Sequence, residues 1–553
     1  MQLDSLKVVA CRYKRFALGT FVIVMILLFV PSIYQVDAQG TAAHVGGNIY
    51  PYRVPGEGLS GTTVGGYFCK PGLRQVPWSV YAPLCVPKWA GNNGGSTAPG
   101  VTASTITVTV DIANNGGLCT FLDKEGSKST ASTAVFERNM NTYVALFNKD
   151  FELWGRRVVI KYFNGQGCDI SELLGQDQSQ AEADAQTAAS LGAFADYSEV
   201  ASTPPYDTAL ASHHIVAIGG EFMPHSWYQQ YAPYEYSYYP SCTKFVQAAV
   251  DVIGKSINGL PAIYAGNNTY QHEPAKIGLI YPSDPLFSPC AAEVAQLLSQ
   301  AHIPLADQFS YSMTDLASLS PEAVTAVAGF KEKGVTTVIC ACDPLTPAFL
   351  AEAAASQHYF PEWLVMSISD VTEVRGIMSA IAGKAFNTEW AHALTMMVQP
   401  VTPQDQEFTV AYQLATGHRL SSPPAIGDAG TLYQGLLLLF SGLQQAGPDL
   451  TPATFQRGMW SLPPSVQDAG LGGWLFKPGH YTAPSNFQVL YWSNRARGPV
   501  THEKGAWVAC NGGKFYSIYG STSVLPAGKQ LACFGKDGSS APWNPPSSAI
   551  PKI

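Results

Sequence analysis

Between Gly100 and Gly165 the spacing of apolar positions changes twice, and the changes predict a strand, a helix and a second strand. Thr105 to Val110 is a β-branched run that stops at Asp111 and an Asn114-Asn115-Gly116-Gly117 turn, the composition of a buried strand. Phe136, Met140, Tyr143, Val144 and Phe147 then recur at helical spacing, and Gly155 precedes a second β-branched run from Val158 to Ile160. Strand, helix, strand in that order predicts a parallel pair with a right-handed crossover.

The alternation continues. Ala181, Ala185, Ala188 and Leu191 mark a helix, Ala193 to Tyr197 a short strand, and His214 to Ile218 another strand closed by Gly219-Gly220. Further on, helical patterns at 245–253, 291–298, 323–330 and 347–355 are interleaved with strand runs at 276–281, 335–341 and 363–367. The fold class is therefore α/β, with parallel sheets covered by helices on both faces, and the length exceeds one sheet, so two lobes are expected. Ligands of open α/β sheets bind beyond the carboxyl ends of the strands. The segments following these strands, D-I-A-N-N-G-G, N-G-Q-G-C-D, Y-S-E-V, G-G-E-F, P-S-D-P, C-D-P and S-I-S-D, are small, turn-forming and acidic, suited to hydrogen-bonding a small polar molecule.

The ends read differently. Lys7, Arg12, Lys14 and Arg15 precede an apolar run from Phe16 to Val30, broken by Pro31 before Val36-Asp37-Ala38. This is a secretory signal with cleavage after Ala38, or alternatively a signal anchor that stays uncut and tethers the chain to a membrane. Residues 39–100 are rich in Gly and Pro and read as a flexible leader with a Cys69-to-Cys85 loop; residues 497–553 read as an extension with a Cys510-to-Cys533 loop and a tail.

Cysteine usage agrees with export to a periplasmic, cell-surface or extracellular location. Of eleven Cys, ten follow Cys11, an even number that permits a full disulfide set. Cys69 with Cys85 and Cys510 with Cys533 are the expected pairs, because short polar segments with little core gain most from a tie. Cys119 and Cys168, which follow the first two strands, form a third; Cys242, Cys290, Cys340 and Cys342 are left unassigned. The net charge of −8 and the absence of a Lys/Arg cluster beyond the first 15 residues exclude nucleic acid as a partner.

Catalytic and metal motifs are absent: there is no G-x-S-x-G, no P-loop and no zinc helix, and His213-His214 opens an apolar strand. Cys340-Ala341-Cys342 puts both thiols on one strand face, which is more often packing than redox chemistry. No cofactor is expected.

In its order of segments the chain resembles the solute-binding proteins of ABC importers with the type I periplasmic-binding fold, in particular the branched-chain amino-acid-binding family. The resemblance runs from Gly100 to Asn494 and is carried by G-V-T-A-S-T-I-T-V, F-N-K-D-F-E-L-W-G-R-R-V-V-I, G-C-D-I with A-E-A-D-A-Q-T-A-A, K-I-G-L-I-Y-P-S-D-P-L-F and G-V-T-T-V-I-C-A-C-D-P. It implies a first lobe of 101–236 with 384–447, a second of 237–383 with 448–496, and a three-segment hinge. It also implies a non-enzymatic receptor that closes on a small polar or amphipathic ligand, such as an amino acid or amide, and passes it to a membrane permease.

The ligand contacts it implies come from Asn114, from Tyr197-Ser198-Glu199 and from the Gly220-Glu221 loop of lobe one, and from Asp284, Asp343 and Asp370 of lobe two. Tyr236 lies in the hinge row Tyr234, Tyr236, Tyr238, whose alternation points the rings one way if the segment is extended; packing of that row against neighbouring helices is the equal alternative. Glu199 and Glu221 are unfavourable beside a bound carboxylate, so an α-amino acid is not assured. For each acidic residue, helix capping is the competing role. A ligand-sensing ectodomain of the same fold and a secreted hydrolase are the other functional readings.

Overall fold

The computed structural model describes residues 52–112, 133–198, 202–219, 222–315, 317–343, 345–366, 385, 388–399, 406–420, 423–465, 472–498, 504–519 and 524–533. The Gly100–Gly165 segment forms the expected unit: β1 (Thr105–Asp111), α1 (Thr133–Asp150) and β2 (Arg157–Phe163), with β1 and β2 parallel over seven residue pairs. α1 buries Met140, Tyr143, Val144 and Phe147, the residues whose spacing predicts it.

The first lobe continues with α2 (Gln178–Ser190), β3 (Ala195–Asp196), α3 (Pro204–Ser212), β4 (Val216–Gly219), α4 (His225–Gln230) and β5 (Glu235–Ser237). Its five strands are all parallel, in the order β2-β1-β3-β4-β5. The chain then crosses into α5 (Cys242–Ser256), β6 (Ile277–Pro282), α6 (Ser288–Gln300), β7 (Leu305–Tyr311), α7 (Leu319–Glu332), β8 (Thr337–Cys340), α8 (Thr346–Ser356), β9 (Glu362–Val365) and β10 (Ala393–Met397). It returns to the first lobe as α9 (Glu407–Thr416), α10 (Pro423–Ala446) and α11 (Pro452–Trp460), and crosses a third time into β11 (Asn486–Arg497), β12 (Lys504–Ala509) and β13 (Tyr516–Ser517).

The second sheet has eight strands, ordered β12-β11-β10-β9-β8-β6-β7 with β13 on β11. From β7 to β10 it is parallel; β11 and β12 add antiparallel. Both faces are covered, as the near-continuous apolar strands require. Val338, Cys340, Trp363 and Val365 enter one core, while Ile339, Leu364 and Leu394 enter the other. This two-lobed architecture, with three crossings, is the type I periplasmic-binding fold.

The lobe limits differ from those expected. Ala393–Met397 lies in the second sheet, paired with β9 and β11. α11 packs with the first lobe instead, where Phe455 meets Phe194 and Tyr236 at centroid distances of 6.4 and 5.3 Å. The C-terminal segment adds two strands to the second sheet and is no appendage.

The described part of the leader, from 52 onward, is docked and not flexible. Val76, Trp78, Ala82 and Val86 are fully buried, and the segment has too few apolar residues to bury them against itself. Val86 clusters with Val54 and Trp154, and the leader's backbone bonds to the first lobe: the Val80 N–H donates to Glu407 Oε1 of α9 (2.7 Å), the Trp89 N–H to Glu152 Oε2 just after α1 (2.9 Å), and Gln444 Nε2 of α10 to the Leu84 carbonyl (3.1 Å). Cys69 is bonded to Cys85, Cys510 to Cys533, Cys242 to Cys290 and Cys340 to Cys342. Cys168 is also disulfide-bonded, and Cys119 lies outside the described residues. Among the described residues no helix is long and apolar enough to cross a membrane, and the expected signal segment 1–38 lies outside them.

Candidate functional site

The carboxyl ends of the first lobe's strands converge on a set of buried acids. Asp111, at the end of β1, accepts the Gly165 N–H at 2.8 Å, and Asp184 of α2 accepts those of Gln166 and Gly167 at 2.8 and 2.9 Å. Thr109 donates to Asp196 and Thr203 to Glu172. These carboxylates tie neighbouring strand ends and the segments after them to one another. Burial pushes the Glu172 carboxyl up to about 8 despite the Thr203 hydrogen bond, and nearby Asp184, Asp169 and Asp111 add to the rise. Burial likewise raises Asp207 to about 7, opposed by hydroxyls of Ser198 and Ser202.

Ser198 lies beside the end of β4. At Gly219 a Cβ atom would stand 2.6 Å from Ser198 Oγ and 2.8 Å from Ser202 Oγ, so only glycine allows this approach. Ser198 itself is 1% exposed. Asn114, Glu199, Gly220, Glu221 and Asp370 lie outside the described residues.

The remaining candidates are occupied by the protein's own groups. Tyr197 is fully buried, its ring against Gly435 of α10 and its hydroxyl donating to the Thr431 carbonyl at 3.0 Å. Tyr236 packs between Phe455 and Tyr481, Tyr238 stacks on Tyr239, and Tyr234 bonds His214 Nδ1 at 2.8 Å, so the tyrosine row has three separate environments. Asp284 accepts the Met313 N–H at 2.8 Å. Asp343 accepts the N–H groups of Leu345 and Thr346 at 2.6 and 3.1 Å, the Tyr311 hydroxyl at 2.6 Å and the Thr346 hydroxyl. It holds the start of α8, the capping role that competes with ligand contact. Asp343→Ala is therefore expected to cost about 2–4 kcal/mol in urea unfolding, since it strands buried donors.

A cavity of about 410 Å³ is walled by both lobes. The first lobe contributes Gln178 and Glu182 of α2, Pro204, Pro205 and Thr208 of α3, and Met223 and Trp227 around α4; the second contributes Pro285 and Leu286 after β6. The volume lies in the range of small-molecule sites, and the lining combines apolar surface with an amide, a carboxylate and a hydroxyl. None of these residues is a candidate on sequence grounds. Pro285 and Leu286 follow Asp284 directly in a loop singled out above, but the helix starts at Gln178 and Pro204 carry no chemical signature. Among the described residues no group of three or more His, Cys, Asp or Glu could hold a metal ion.

No family model matches the chain, and no curated protein does. Solved structures do. The chain is similar to the leucine-, isoleucine-, valine-, threonine- and alanine-binding protein of Brucella ovis in its closed conformation, with TM-score 0.51 and 14% identity over 78% of this chain and 99% of that one. A fatty acid ABC transporter substrate-binding protein from Thermomonospora curvata follows with TM-score 0.49 and 13% identity, covering 79% and 99%. An ABC transporter substrate-binding protein of Aeropyrum pernix gives 0.49 and 12%, covering 76% and 97%. At such identities it is the fold that is shared.

Proposed function

We propose that the chain is an extracytoplasmic, non-enzymatic solute receptor of an ABC-type importer, which closes on a small amphipathic ligand and presents it to a membrane permease. The observation that carries this reading is the cavity shared by the two lobes. A ligand that touches both sets of walls favours the state in which they are together, by its differential affinity for that state. Trp227, Met223, Leu286 and the prolines supply apolar area; Gln178, Glu182 and Thr208 supply donors and acceptors. This lining suits a compound with an apolar body and a polar end, an amino acid or amide among them. The disulfides support export, because such bonds persist in oxidising compartments. The amino acids for which the Brucella ovis protein is named fall within the same class of ligand.

The test is to identify the co-purifying molecule by native mass spectrometry, then measure its affinity and the protein's scattering dimensions. Compaction on binding is expected. Thr208→Trp, which fills the cavity, should lower affinity at least about 100-fold, more than 2.7 kcal/mol, with the thermal midpoint of the unliganded protein unchanged. Unchanged dimensions together with wild-type affinity in the cavity-filled variant would sink the proposal.

A further inference from the structure

Lys244 stands in the first turn of α5 and is 3% exposed. A cation at that position faces the positive end of the helix and has lost its hydration. It donates to the Thr482 carbonyl, and its Nζ lies 5.6 Å from the Tyr519 ring centroid. A second lysine and two histidines lie nearby. Lys477 Nζ is 4.7 Å from the same ring, His480 Nδ1 is 3.0 Å from the Tyr519 hydroxyl, and the His480 and His225 rings are 5.1 Å apart.

Among the described residues no carboxylate pairs with Lys244 or Lys477. Glu293 is bound to Thr243 on the adjoining helix position, where the Thr243 hydroxyl donates to it at 2.7 Å and accepts the His225 N–H at 2.9 Å. Burial, then Lys244, Lys477 and His225, push His480 down to about 3, and burial with Lys477 holds Lys244 well below the usual lysine range.

We propose that Lys244, Lys477, His225 and His480 form a binding site for a small oxyanion, a carboxylate or phosphate group, at the junction of the lobes. His225 comes from α4 of the first lobe, Lys244 from α5 of the second, and Lys477 and His480 from the segment of the third crossing. An anion among them supplies the missing opposite charge and links both lobes to that crossing. The site shares α4 with the cavity but none of its lining residues, so it is separate from the solute position.

The test is thermal unfolding of the full chain at pH 7 in phosphate or acetate against chloride at matched ionic strength. An anion at ten times its dissociation constant adds about 1.4 kcal/mol, a rise of roughly 1–2 °C for a chain of this length. The larger response of the two arms identifies the phosphate or the carboxylate as the preferred group. Lys244→Met should raise the midpoint in chloride, because it removes a buried cation without a counter-charge, and should abolish the anion response. Lys477→Gln alters a half-buried side chain and should weaken the anion's affinity about tenfold, or 1.4 kcal/mol, in an otherwise unchanged fold, leaving a much smaller midpoint response. No shift with either anion beyond chloride, or a full response retained in Lys477→Gln, overturns the proposal.

Discussion

Replacing Glu407 with Ala is expected to release the leader and to cost about 2–4 kcal/mol of stability, because it removes a carboxylate that accepts hydrogen bonds from two donors and leaves them unpaired. Glu407 is 2% exposed at the first turn of α9. Its Oε1 accepts the Val80 N–H at 2.7 Å, and its Oε2 accepts the Tyr433 hydroxyl at 3.0 Å, so one carboxylate joins leader, α9 and α10. Truncation leaves both donors in an interior that offers no water. Burial and the Glu407 charge now hold the Tyr433 hydroxyl well above its ordinary range, which shows how closely the two are coupled. Trypsin reports the release at the Arg74–Gln75 bond, Arg74 now being bonded through its guanidinium to the Ala82 and Pro464 carbonyls. Glu407→Gln keeps acceptors in place and should lose much less. Cleavage rates equal to wild type in Glu407→Ala, with an unchanged urea midpoint, would show the leader to be held by its apolar contacts alone.

The second large effect is a loss of stability as pH rises from 6.5 to 8.5. Among the carboxyls that burial raises, Glu172 and Glu389 go to about 8, Asp207 and Glu362 to about 7 and Asp150 to about 6, and the fully buried Asp196 stands well above its ordinary range. An acid with a raised folded value keeps its proton when the unfolded chain has already released it. The native state then binds more protons, and stability falls as pH climbs, from the unfolded carboxyl range until the folded value is passed.

Other groups act with the opposite sign. His480, His225 and His392 are lowered by burial, so they add stability with rising pH, but only up to the ordinary histidine range near 6.5. Lys244 also opposes the trend, by at most one proton, up to the ordinary lysine value. Above pH 6.5 the carboxyls outnumber it. A net excess of one to two protons over that window lowers stability by about 3–5 kcal/mol. Thermal midpoints in phosphate-free buffers of constant ionic strength should therefore decline across it. Glu172→Gln should flatten the decline, because the amide keeps the neutral form at all pH. A midpoint that climbs with pH over the same window would contradict the assignment.

Much of the fold follows from local pattern. A β-branched run such as Thr105 to Val110 and a 3.6-residue period such as that of Met140, Tyr143 and Phe147 report backbone state and an apolar face, whatever that face later meets. That is enough to determine alternating parallel units, two lobes and the exit loops of their strands. The local cysteine pairs, Cys69 with Cys85 and Cys510 with Cys533, are equally readable, because proximity along the chain limits their partners.

What periodicity does not carry is the identity of the partner. Val76 and Trp78 read as isolated apolar residues in a Gly/Pro-rich leader; they are buried because that leader is docked, through bonds to Glu407 of α9 and Gln444 of α10, on segments more than three hundred residues away. Asp343 could have faced a ligand or the start of α8, and Tyr311 and Thr346 decide for the helix by taking up its lone pairs. Ala393–Met397 and α11 change lobes for the same kind of reason, since sheet membership and packing depend on the strand or helix beside them. The cavity walls at Gln178, Thr208 and Trp227, and the counter-charge that Lys244 lacks, are sums over distant segments. Such sums exist only once the chain has closed on itself, so they belong to the tertiary structure and not to any stretch of sequence.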